Sequence, residues 1–70
     1  MVVEVINFGK ILRGLMDERG LNQLALAGLL GCRQSQISNW LNNNTVPGFH
    51  SIILLCKKLK VSADLLLGLE

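Results

Sequence analysis

The spacing of the apolar residues restricts the fold most, because they recur at intervals of three and four in short windows separated by glycine, by proline or by the segment 60–62. Such spacing places apolar side chains along one face of an α-helix. The windows cover residues 8–15, 26–30, 37–41, 52–59 and 65–66. None of them alternates with the period of two that a half-buried strand shows. The pattern therefore predicts an all-α fold of five short helices.

Residues that begin and end helices stand between these windows. Asn7, Asn22 and Ser62 each precede an apolar window and can cap the helix that follows. Gly20 and Gly31 can end the first and second helices because glycine adopts the left-handed conformation without strain. The second helix is therefore expected to have only two turns.

Composition sets the size of the domain and limits its partners. The chain has 70 residues, of which half are apolar and only 4% aromatic. We expect a single compact domain over residues 1–70 with an aliphatic core, near the lower size limit for folding without disulfides or metal. The net charge of +2 permits a nucleic-acid partner but does not demand one. Any sequence-specific contact must then rely on neutral polar groups.

The second and third helices, about residues 22–42, form a unit of their own. Two short helices joined by a tight turn that contains glycine are the sequence form of a helix-turn-helix. Ala27 is small enough for the third helix, predicted at about residues 34–42, to cross close to the second. Gly31 supplies the turn. The pattern therefore predicts a helix-turn-helix.

One face of the predicted third helix is polar and carries no acid. Its members are Ser35, Ser38, Asn39 and Asn42, with Gln34 at the edge and Arg33 just before it. Amides can pair with the edge of adenine, arginine can pair with guanine, and serine can contact either base. The alternative is an ordinary solvated face, although such faces more often carry Glu and Lys pairs. The absence of acid favours an anionic partner.

The remaining features favour neither an enzyme nor a membrane protein. Cys32 and Cys56 form no CxxC pair and are expected to be buried thiols in a reducing cytosol. His50 has no metal-ligand cluster around it and is expected at the surface. We therefore predict no catalytic residues, no metal, no cofactor and no small-molecule substrate. The chain lacks an apolar run long enough to span a bilayer and a signal-peptide pattern, which predicts a cytoplasmic location.

The ordered set of motif residues resembles the lambda-repressor-like, Cro-type helix-turn-helix family, the xenobiotic-response-element type of bacterial and phage regulators. The residues that carry the resemblance are Leu21-Asn22-Gln23, Leu26-Ala27, Leu30-Gly31, Gln34-Ser35, Ile37-Ser38, Trp40 and Pro47. Including its flanks, the match covers residues 8–68. The resemblance implies a five-helix domain that binds operator DNA with its third helix in the major groove.

The resemblance also implies roles for individual residues. Base contacts are expected from Arg33, Gln34, Ser35 and Asn39. Phosphate contacts are expected from Gln23 at the start of the second helix. They are also expected from Ser38, Asn42, Asn43 and Asn44, where amide and main-chain N–H groups lie near the end of the third helix. Two apolar residues, Met16 and Leu41, stand where many relatives hold an ion pair, and we expect them to touch. Arg33 replaces a small capping residue, which leaves its side chain freer to reach DNA. Asn43 is expected to tolerate positive φ.

The sequence therefore predicts a sequence-specific double-stranded DNA-binding regulator, a repressor that acts as a homodimer on a palindromic operator. The apolar surplus that favours association lies at Leu24, Leu29, Leu67, Leu69, Val2, Val3 and Val5. The alternative for this surplus is apolar surface with no biological interface. Two alternative functions remain open, namely the antitoxin of a toxin–antitoxin pair and a protein-interaction module that keeps the fold without DNA binding.

Overall fold

The computed structural model describes residues 7–69, which are mainly helical. The helices are α1 (Phe8–Glu18), α2 (Gln23–Leu30), α3 (Gln34–Leu41), α4 (Phe49–Leu59) and α5 (Ala63–Leu66). No strand occurs within residues 7–69. The predicted all-α fold with five short helices is confirmed. The third helix ends at Leu41, one residue earlier than predicted, and Asn42 is its C-cap.

The predicted N-caps are confirmed at three helices. The Asn7 side chain accepts a hydrogen bond from the N–H of Lys10 at 3.0 Å. Asn22 does the same for Ala25 at 2.8 Å, and the Ser62 hydroxyl accepts from the N–H of Leu65 at 3.1 Å. Each bond satisfies an N–H group that the first turn of a helix leaves without a partner.

A residue with positive φ follows or ends each of the five described helices. These residues are Gly20, Gly31, Asn43, Lys60 and Gly68. Gly31 has φ of 68° and ends α2 after two turns, as predicted. Asn43 has φ of 59°, which confirms the expectation that it tolerates this conformation. The positive-φ residues change the chain direction within one or two residues of a helix end, so the connections between successive helices stay short.

The core is mainly aliphatic, as predicted, and includes the aromatic side chains of Phe8 and Trp40. Its buried members are Phe8, Leu12, Leu15, Met16, Leu26, Ala27, Ile37, Trp40, Leu41, Leu55, Leu59 and Leu66. Helix α2 packs against α3 and α4, while α1 packs against α3 and α5. Cys32 and Cys56 are half-buried free thiols at the edge of this core, and His50 is exposed at the start of α4. The apolar residues Val2, Val3 and Val5 lie outside the described part of the chain.

Gly9 allows α1 to approach the end of α3 unusually closely. A Cβ atom at this position would overlap the carbonyl oxygen of Leu41 and would lie 3.1 Å from the carbonyl oxygen of Trp40. Both obstacles are main-chain atoms, which cannot rotate away as a side chain can. Glycine therefore sets the distance between α1 and the C-terminal end of α3.

Arg19 joins the ends of α1 and α4. Its guanidinium donates to the Leu59 carbonyl through Nε at 3.1 Å and through a terminal nitrogen at 2.8 Å. The other terminal nitrogen donates to the Leu15 carbonyl at 3.3 Å. Carbonyls in the last turn of a helix lack intrahelical donors and carry partial negative charge, so a cation stabilises them. This arginine therefore has a structural role.

We expect Arg19→Met to lower the free energy of unfolding by about 1.5–3 kcal/mol, the usual worth of hydrogen bonds to a charged group. Arg19→Lys should recover only part of the loss, because an ammonium lacks the planar fork that reaches two carbonyls. Urea denaturation followed by circular dichroism measures both changes. Equal stability of the wild-type protein and the Arg19→Met variant would contradict the structural role.

Candidate nucleic-acid interface

Helix α3 separates a buried apolar side from an exposed polar side. Ile37, Trp40 and Leu41 are buried in the core and fix the rotation of the helix. The polar stripe of the sequence prediction lies on the outer side, with Gln34, Ser35, Asn39 and Asn42 exposed and Ser38 half-buried. The α2–α3 pair, joined through residues 31–33, therefore presents hydroxyl and amide groups to solvent on a rigid base.

Arg33 is the N-cap residue of α3, but its side chain does not cap the helix. Its guanidinium makes no cap hydrogen bond, while its main-chain N–H donates to the Gln36 side-chain oxygen at 3.3 Å. Gln36 thus makes one half of a capping box, while the other half needs a side-chain acceptor at the N-cap that an arginine, which has only donors, cannot supply. Arg33, Ser35 and Gln36 line an open depression of about 670 Å³ at the turn. The structure therefore leaves the Arg33 guanidinium exposed beside the polar stripe.

Cys32 also lines this depression and is uncharged at neutral pH. Burial raises the pKa of the Cys32 thiol above its ordinary value, although a backbone hydrogen bond partly opposes the effect. The protonated thiol adds no negative charge beside Arg33. The sequence predicted a buried thiol, whereas Cys32 is only half-buried, because it lies in the turn after α2 at the edge of the core.

Asn43 links the loop after α3 to the start of α1. Its side-chain oxygen accepts from the N–H of Gly9 at 3.0 Å, and its side-chain nitrogen donates to the Asn7 oxygen at 2.9 Å. The Asn7 oxygen also caps Lys10, so a connected network holds the two helices together. The amide that the sequence analysis assigned to phosphate is therefore engaged within the protein.

The main-chain N–H groups of residues 42–45 are also engaged. Those of Asn42 and Asn43 donate to carbonyls of Ser38 and Trp40, and those of Asn44 and Thr45 donate to the Asn39 carbonyl. Each of these four main-chain N–H groups therefore has an acceptor within the protein, and the expected phosphate contacts through them stay a prediction. The side chain of Asn42 donates to the Ser38 hydroxyl at 3.4 Å, a long bond that leaves its second N–H available.

Asn43→Gly should isolate the two side-chain hydrogen bonds, because glycine keeps the positive φ without strain. We expect a loss of about 1–2 kcal/mol in the free energy of unfolding for Asn43→Gly, and about 1 kcal/mol more for Asn43→Ala. Chemical denaturation of the two variants measures the difference. If alanine were tolerated as well as glycine, the left-handed conformation would be wrong.

A second depression lies where α1, the start of α2 and the end of α3 meet. It has a volume of about 290 Å³ and its lining includes Arg13, Asp17, Gln23, Met16 and Leu41. Met16 and Leu41 are both buried and line this same depression. Gln23 is half-buried, with Arg13 beside it. Sequence reasoning missed Arg13, because its position on an exposed face of α1 carries no signal until α2 is placed.

The cations are distributed unevenly over the described chain. Of the seven Lys and Arg residues, those grouped at the end of α4 are Lys57, Lys58, Lys60 and the bound Arg19. Arg33 lies at the start of α3, while Lys10 and Arg13 lie on exposed positions of α1. Arg33, Lys10 and Arg13 are thus the only cations within residues 7–69 that lie on elements flanking the polar stripe.

These features define a helix-turn-helix domain, the class of fold that places its second helix in the major groove of DNA. The profile of the helix-turn-helix domain family matches residues 9–70, and the chain belongs to that family of DNA-binding regulators. No curated protein and no solved structure gives a significant match to the chain.

Neither a metal cluster nor a membrane span is found within residues 7–69. These residues contain no group of three or more His, Cys, Asp or Glu side chains arranged to hold a metal ion. None of their helices combines the length and apolar character that crossing a bilayer requires.

Proposed function

We propose that this chain is a sequence-specific transcriptional regulator of the lambda-repressor-like, Cro type, a repressor that acts in the cytoplasm as a homodimer on a palindromic operator. The exposed, acid-free polar face of α3 is the observation that carries the proposal. The proposal includes DNA binding without catalysis, because the exposed groups on α3 are suited to hydrogen bonding with base edges.

Base discrimination is assigned to the start and middle of α3. Gln34 and Asn39 can each pair bidentately with adenine, and Arg33 can pair with guanine. Ser35 is exposed between them and can contact either base or a phosphate. Because the helix is fixed by its buried side, these groups can reach the groove with little loss of freedom.

Phosphate contacts are assigned to both ends of the two-helix unit. Gln23 is placed at the start of α2, and Ser38, Asn42 and Asn44 lie towards the end of α3. Asn43 belongs to the same loop, and its contribution is to position that loop through its bonds to α1. Neutral donors of this kind hold the protein in register without adding charge.

Arg13 extends the phosphate contact at Gln23, since both side chains line one depression. Asp17 lines it too and opposes an approaching phosphate. We expect Arg13→Gln to reduce the slope of log affinity against log salt by about 0.9, the effect of one lost phosphate contact. Asp17→Asn should raise affinity at low salt. Fluorescence anisotropy with a labelled duplex measures both, and an unchanged slope in the Arg13 variant would contradict the contact.

Homodimer formation is supported by apolar side chains that the domain leaves uncovered. Leu24, Leu29 and Leu69 are 68%, 44% and 67% exposed, whereas Leu67 is half-buried. A monomer with so little charge is expected to bind DNA weakly. Two linked DNA-binding domains gain affinity because the second one binds at a high effective concentration once the first is bound. Equilibrium sedimentation with and without operator DNA measures the oligomeric state.

The decisive experiment selects binding sites from random duplex DNA and then titrates the best site against salt. We expect an inverted repeat whose half-sites are about 10 base pairs apart, with a shallow salt slope from few phosphate contacts. Absence of any enriched sequence, with only weak salt-dependent binding, would refute the proposal.

A protein-interaction module, including an antitoxin, is the second candidate. It is favoured by Leu24, which is 68% exposed on α2 next to Gln23. An apolar side chain there contributes little to binding a phosphate and suits a protein partner. Failure of the DNA selection together with capture of a defined toxin would favour this candidate.

A further inference from the structure

A continuous apolar trough runs from the start of α1 along α4 to α5. Its first part, of about 230 Å³, is lined by Phe8, Val46, Ile52 and Leu67. Its second part, of about 510 Å³, shares Ile52 and Leu67 and adds Phe49 and Cys56. Val46 and Phe49 are 77% and 84% exposed, so the domain leaves two large apolar side chains uncovered on this surface. This surface is separate from the polar face of α3.

We propose that residues 2–6 of the same chain occupy this apolar trough. The chain reaches the described structure at Asn7, whose side chain is held by Lys10 and Asn43. The next residue, Phe8, already lines the trough. The chain therefore enters the described structure beside the surface that the segment is proposed to cover.

The composition and length of the segment suit the trough. Val2, Val3, Val5 and Ile6 are apolar and β-branched, which favours extended backbone against a packed surface. Five extended residues reach roughly 17 Å. From Phe49 to Cys56 the trough advances only about 10 Å along α4. The segment is therefore long enough to cover both parts.

Two features of the sequence agree with this occupant. Because Asn7 is the N-cap, Ile6 and the half-buried Ile11 stand at the two sequence positions whose side chains would pair in a hydrophobic staple. The single acid of the segment, Glu4, would then follow Ile6 towards Lys57, which lines the second part of the trough. An apolar segment with one acid thus matches an apolar trough with one cation.

Tethering favours this occupant over a second copy of the chain. A segment attached at the mouth of the trough has an effective concentration of the order of millimolar, so it outcompetes a free copy at micromolar concentration. The proposal does not depend on DNA binding, since none of the trough residues lies on α2 or α3.

Cysteine crosslinking to Cys56, which lines the trough, tests the proposal in the full chain. Val2→Cys and Val3→Cys are each combined with Cys32→Ser and oxidised under mild conditions. Neighbouring residues of an extended segment point to opposite sides, so at least one variant should place its thiol near Cys56. A disulfide needs Cα atoms within about 7 Å, so it reports close approach.

We expect an intramolecular disulfide, seen as a monomer on a non-reducing gel and mapped by mass spectrometry. The matched control keeps Cys32 and carries Cys56→Ser, and its oxidation should be about tenfold slower because Cys32 lies outside the trough. An exclusively intermolecular product would assign the trough to a second copy and overturn the proposal. Absence of a Cys56 crosslink in both variants, or equal rates in the control, would overturn it as well.

Discussion

Replacing Gly9 by alanine is expected to destabilise the domain by about 3 kcal/mol or more, at the upper end of the cost of overpacking. The added Cβ would overlap the Leu41 carbonyl oxygen and lie 2.8 Å from the carbonyl carbon. Relief requires α1 and α3 to move apart, which would also stretch the bond from the Gly9 N–H to Asn43. A small domain has little stability in reserve, so much of the variant should be unfolded at 25 °C.

Gly14→Ala on the same helix is the matched control. Gly14 is exposed within α1, and a Cβ there would meet nothing within 4 Å. Alanine should therefore raise the free energy of unfolding by about 0.5–1 kcal/mol through its higher helix propensity. Thermal and urea denaturation of both variants measures the opposite signs. If Gly9→Ala were as stable as Gly14→Ala, the close approach of α1 to Leu41 would be wrong.

The features that sequence predicted correctly depend on nearby residues. Asn7, Asn22 and Ser62 each bond to an N–H group three positions along the chain, so capping can be inferred from local order. The apolar spacing likewise predicted that Ile37 and Trp40 would be buried, since helical geometry alone sets which residues share a face. This was enough to identify the polar side of α3.

The features that sequence missed depend on contacts between distant residues. Gly9 lies within the first predicted helix, but its conflict with Leu41 exists only once α1 lies against α3. Arg19 bonds to a carbonyl 40 residues away. At Asn43 the positive φ was predicted from residue type, whereas the bond to Gly9, 34 residues away, was not. Local pattern therefore predicted which face of α3 is polar, but not which polar groups remain free.

The second large effect is expected at the proposed base contacts. Gln34→Ala combined with Asn39→Ala should reduce the preference for the selected site over a scrambled duplex by about 2–6 kcal/mol, or roughly 30-fold or more. The reason is that each amide is exposed on α3 and can make two hydrogen bonds to one base. Competition binding against both duplexes at fixed salt measures the change.

Two controls distinguish a loss of base discrimination from unfolding. They are the stability of the double variant and the DNA binding of a phosphate-contact variant. Because neither Gln34 nor Asn39 is buried, the double variant should stay within about 0.5 kcal/mol of the wild type in free energy of unfolding. Asn44→Ala removes another exposed amide, and it should weaken binding to both duplexes alike because a phosphate carries no sequence information. Unchanged discrimination in the double variant would exclude these amides as the base-reading groups. An unfolded double variant would mean that they support the core, and that the polar face of α3 has been misassigned.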